Sequence, residues 1–81
     1  MSKITQSEVI AVVESALEIK PGWLDISARA EEIEGWDSLG QLSILVALDK
    51  LFDGKISNIE EMAMAYSVPK ILDILKHNSL L

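Results

Sequence analysis

An all-α bundle of three main helices plus one short helix is the fold this sequence predicts, on three observations. Apolar residues recur at helical spacing in three separate stretches. No stretch alternates apolar and polar residues as a half-buried strand does. Helix-start residues and Gly or Pro stops fall between the periodic stretches. The 81 residues are 49% hydrophobic and 25% charged, which suits one packed domain over 1–81 rather than a disordered tail.

Each element has its own signals. Thr5 and Glu8 form a capping box for the first helix. Val9, Val13, Ala16 and Leu17 make its core stripe, Ile10 and Val12 flank it, and Pro21–Gly22 is expected to stop it. Residues 20–36 show no sustained period, and a loop of that length in so small a domain is usually functional or internally packed. Trp23, Leu24, Ile26 and Ile33 are expected to pin it to the core. Asp37 is a good N-cap for a second helix running to about Phe52. Leu39, Leu42, Leu45 and Val46 form one apolar face of that helix, and Ile44, Leu48, Leu51 and Phe52 form another. Apolar character on two faces predicts neighbours on both sides, hence a central helix ended by Asp53–Gly54. A short third helix is expected over Ile59 to Tyr66, capped by Ser57 or Asn58. Met62 and Met64 cannot share one face of it, so one of them faces solvent. The last helix has Ser67 as cap, Pro69 in its first turn, and Val68, Ile71, Leu72 and Leu75 as its stripe.

Charge and composition exclude several function classes. Thirteen acids against seven bases give a net charge of -6, which argues against nucleic-acid binding and favours partners with positive patches. From Glu18 to Asp37 there are six acids and two bases, so -4 of the total lies there. The absence of cysteine excludes disulfides and thiolate chemistry, and the single histidine, His77, leaves no His pair for a metal or proton relay. His77 sits near the end of the last helix, where it suits the helix dipole when protonated. The N-terminal residues do not read as a signal peptide, and no apolar run approaches the roughly 20 residues of a membrane span. A cytoplasmic monomer is the expectation.

No catalytic set and no Gly-rich phosphate loop can be assembled. The informative segment is Glu34–Gly35–Trp36–Asp37–Ser38–Leu39–Gly40, which sets a serine in the first turn of the central helix. Free N–H groups and the positive dipole end would favour a phosphate ester on Ser38. Nothing adjacent activates Ser38 as a nucleophile, so another enzyme would have to modify it. By pattern alone, Asp-Ser at a helix start is more often plain capping. Asp49, Asp53, Gly54, Ile56 and Glu60 also approach the spacing of a calcium loop, but Leu51 stands where an oxygen ligand is required.

The chain resembles the acyl carrier protein family along nearly its whole length. The resemblance rests on Gly35–Trp36–Asp37–Ser38–Leu39, Leu42, Ala47–Leu48, Phe52–Asp53 and Ile56, and on Ser67–Val68, Ile71, Leu72 and Leu75. It implies an acyl-carrier-like bundle and a non-catalytic carrier loaded by separate enzymes. It implies that Ser38 receives 4′-phosphopantetheine from coenzyme A through a phosphopantetheinyl transferase, and that the arm's thiol then carries acyl groups as thioesters. Asp37 would be the acidic residue beside the attachment serine, and Leu39 the apolar residue that transferases contact. Acyl-loading and acyl-processing enzymes with basic docking patches would be the further partners. A nonpolar acyl chain could fold back beside the second helix, against Leu42, Val46 and Ile59, and Trp36 could shape the mouth of that pocket. Gly40 and Ser43 stand where acidic residues are frequent in carriers of fatty-acid synthesis, and Asp37, Asp49 and Lys50 are the only charges between 37 and 52. Glu60 and Glu61 keep some acidity in the third-helix region. A dedicated carrier of a polyketide or other specialised pathway fits as well as one of fatty-acid synthesis. The alternative from a different class is a cofactor-free acidic helical binding module, calcium-responsive in one version.

Overall fold

A computed structural model describes residues 4–81. Among the described residues there are three α-helices: α1 (Gln6–Ala16), α2 (Ser38–Leu51) and α3 (Val68–His77). Short 3₁₀ turns occupy Ala30–Glu32, Ile56–Asn58 and Glu60–Met64. No strand is present among these residues; one isolated β-bridge pairs Arg29 with Ser67. The all-α expectation therefore holds. Nor is any described helix long and apolar enough to cross a membrane.

The caps of the three α-helices form where the sequence sets them, whereas the expected Ser57 or Asn58 cap of a third helix does not. Thr5 accepts from the Glu8 amide while the Glu8 carboxylate accepts from the Thr5 amide. Asp37 and Ser67 cap α2 and α3 through the Gly40 and Lys70 amides. The first helix ends at Ala16, well before Pro21–Gly22. The Ile19 amide donates to the Glu14 carbonyl at 2.8 Å and the Glu18 amide to the Ser15 carbonyl at 3.2 Å. With Glu18 at φ 58°, these bonds make a Schellman closure. Asp53 and Ser79 take the same left-handed position after α2 and α3, at φ 55° and 60°. The matching long-range bonds run from Gly54 to the Asp49 carbonyl and from Leu80 to the Leu75 carbonyl.

The core gathers Val9 and Val13 of α1, Ile44 and Leu48 of α2, Met62, and Ile71, Leu72 and Leu75 of α3. The expected third helix over Ile59 to Tyr66 is not α-helical: a 3₁₀ turn over Glu60–Met64 stands in its place, separated by the extended Ile59 from an earlier one over Ile56–Asn58. Apolar residues there recur every third position, at Ile56, Ile59, Met62, Ala65 and Val68. All five are buried or half-buried. A three-residue turn keeps such a series on one side, whereas a 3.6-residue turn would rotate it away from the core. Met62 is buried and Met64 exposed, as the sequence requires.

Two further expectations are corrected. α2 packs against α1 on one side and the 3₁₀ turns on another, but its Leu39, Leu42 and Val46 stripe lies between them and is 75%, 57% and 50% exposed. Three short helices and a few turns do not encircle it. Trp23 and Ile26 do not pin the long loop; Trp23 is 72% exposed and Ile26 is exposed too. Leu24 and Ile33 anchor it as expected, joined by the buried Ala28 and Trp36. The reason is the buried Glu14 carboxylate, whose Oε2 accepts from the amides of Gly22 and Leu24 at 2.9 Å each. That pair of bonds fixes the loop with Leu24 inward and its neighbour Trp23 outward.

Candidate functional site: the start of helix α2

The Asp37 carboxylate accepts from the Gly40 amide at 2.9 Å, and its carbonyl accepts from the Gln41 amide at 2.8 Å. Asp37 thus supplies the cap, and Ser38 is the first helical residue. The Ser38 side chain is not needed for capping and is exposed. The amides of Ser38 and Leu39 belong to the first turn, where no helical carbonyl reaches them. Leu39 projects an apolar side chain beside them into solvent.

Two glycines allow the loop to approach this turn. Gly35 holds φ 89°, a left-handed conformation that glycine adopts without strain. A Cβ at Gly40 would overlap the Gly35 carbonyl oxygen and stand 3.0 Å from Leu17 Cδ2. Any side chain at position 40 would therefore meet the loop backbone.

Beneath the turn lies a buried polar network that the sequence reading missed. The Trp36 indole Nε1 donates to Gln41 Oε1 at 2.7 Å. Gln41 Nε2 donates to the carbonyls of Met62 and Ala65 at 3.1 Å each, with that of Ala63 at 3.4 Å. One side chain thus ties the loop, α2 and the 60–65 segment together, three residues along α2 from Ser38. Trp36 is buried in this network and packs the loop onto α2. The signal was present: Gln41 lies on the same face as Ile44 and Leu48, and a polar residue on a buried face must find partners.

An open apolar groove of about 280 Å³ runs beside α2, lined by Leu45, Val46, Ile56, Ile59, Met62 and Ala63, with Asp49, Ser57 and Glu60 at its rim. It begins two helical turns beyond Ser38, about 11 Å along the axis. Val46 and Ile59 line it as expected. Leu42 does not; it faces another hollow beside Ser15 and Ala16 of α1. The suspected calcium ligands are not brought together. Asp49 Oδ1 accepts from the Ser57 amide at 3.0 Å, and no cluster of three or more candidate ligands exists among the described residues. His77 is the exposed last residue of α3.

Compared with protein-family models, with curated proteins and with solved structures, the chain finds no match.

Proposed function

We propose that this chain is an acyl carrier protein, in which Ser38 bears 4′-phosphopantetheine. It would present acyl intermediates to the enzymes of fatty-acid, polyketide or specialised-metabolite synthesis. The observation that carries the proposal is an exposed serine at the first position of α2 whose hydroxyl the cap does not use. The arm, when bound, supplies the thiol that forms thioesters, which a chain without cysteine does not otherwise have.

The residues fit such a group in three ways. The first-turn amides and the dipole of α2 favour a phosphodiester on Ser38. Asp37 holds the turn that presents the hydroxyl, and Leu39 offers a transferase an apolar contact. Gln41 and Gly40 fix the turn against the loop, so the platform is rigid and only the arm moves. A tether on a rigid platform raises the effective concentration of its cargo at each enzyme. Catalysis belongs to the partners: the phosphopantetheinyl transferase and the acyl-loading and acyl-processing enzymes. Such a role implies the cytoplasm.

The absence of cysteine provides the test. The folded chain is incubated with coenzyme A, magnesium and a broad-specificity transferase, desalted, and titrated with a thiol reagent. One thiol per chain is expected, and none in Ser38→Ala. A wild-type chain that gains no thiol with several transferases would overturn the proposal.

The exposed Leu39, Leu42, Val46 and Trp23 also favour a second reading, a cofactor-free binding module. In that case Ser38→Ala would leave partner binding intact.

A further inference from the structure

The outward-facing Trp23 forms part of a groove between the end of α1 and the long loop. Ile19, Trp23 and Ile33 give it an apolar floor, and Glu18, Glu32 and Glu34 stand around it. Its volume is about 410 Å³. The chain's own Lys20 ammonium lies 5.3 Å from the Trp23 ring centroid, so the ring already holds a cation on one face, and an incoming one would displace Lys20 or take the other face. Three carboxylates against Lys20 leave the groove at -2. Glu32 is shared with Arg29, at 3.7 Å between Oε2 and Nη2, while Glu18 and Glu34 are exposed. The walls are preformed, because Glu14 fixes Gly22 and Leu24 and the Schellman closure fixes Glu18 and Ile19. A preformed site loses less ordering entropy on binding.

We infer that this groove docks a segment of a partner protein that presents an arginine beside an apolar side chain. The guanidinium suits the site better than an ammonium. It stacks flat on an indole face and meets carboxylates with a planar fork of donors. The apolar neighbour would cover Ile19 and Ile33. The exposed face of α2 lacks this charge pattern, with Asp37, Asp49 and Lys50 summing to -1 over 37–52. The inference goes beyond the carrier proposal and does not depend on modification of Ser38.

The test is an NMR titration of the unmodified full chain with a short capped peptide of alternating arginine and leucine. A matched peptide with citrulline for arginine is the control. The buried Trp36 and exposed Trp23 give separate indole signals. Saturable shifts are expected at the Trp23 indole and at Ile19, Ile33 and Glu34, with the Trp36 indole unmoved. Loss of the aromatic face in Trp23→Ala should weaken binding about fivefold or more. Glu34→Gln should weaken it about twofold to threefold, and the citrulline peptide should bind least. Four results would overturn the inference: no saturable shift; shifts centred on Leu39, Leu42 and Val46; shifts spread over Glu60, Glu61 and Asp73; or unchanged affinity in both variants.

Discussion

Gln41 carries more structural consequence than any other polar side chain here. Truncation to Ala strands the Trp36 indole N–H and the Ala65 carbonyl in a buried setting, while the Met62 carbonyl keeps the Ala65 amide. The expected loss is about 2–4 kcal/mol in urea unfolding, since unpaired buried groups cost more than a bond gains. Gly40→Ala tests the close approach of loop and helix. Its methyl meets backbone, which cannot swing aside, so a loss of about 1–3 kcal/mol is expected in the same assay. Glu18 works in the other direction. It holds a left-handed conformation that glycine adopts freely, at the negative end of α1. Glu18→Gly should therefore raise stability by about 0.5–1 kcal/mol. The same change removes a carboxylate from the Trp23 groove and should weaken the arginine peptide, a trade of function against stability. Of these residues, the helix-start pair Asp37 and Ser38 was legible from sequence. Glu14 was not, because its partners lie eight and ten positions away and only the fold brings them together.

Among the elements, the three α-helices were legible because capping chemistry and the 3.6 period agree at each. The segment before α3 departs from the α-helix expected there because its apolar residues follow a period of three. Ile56, Ile59, Met62, Ala65 and Val68 mark that period once it is sought. The exposure of one α2 face was not legible at all. A periodic pattern records which residues share a face, and only the arrangement of neighbours decides whether that face is covered. Two substitutions on α2 separate its faces. Leu48→Ala, at a side chain with no exposure, should cost about 3–5 kcal/mol. Leu42→Ser, on the open face, should stay within about 0.5 kcal/mol of wild type. Equal losses in urea unfolding would mean that the Leu42 face is packed.

At the scale of the molecule, the two proposed roles fall in two regions. The long acidic loop carries -4 of the net -6 and the aromatic groove, while α2 carries the serine and an apolar stripe. Glu14, Trp36 and Gln41 bind these regions into one platform, so a partner held at the loop would meet Ser38 in a fixed geometry. Docking through the loop should weaken as ionic strength rises, whereas contacts to Leu39, Leu42 and Val46 should not. The central claim is that Ser38 is an attachment site. It is tested most directly by intact-protein mass before and after incubation with coenzyme A, magnesium and a broad-specificity phosphopantetheinyl transferase, alongside Ser38→Ala. The expected result is one added phosphopantetheine on the wild type and none on the variant. No gain on the folded wild type with several transferases, or an equal gain on Ser38→Ala, would contradict it.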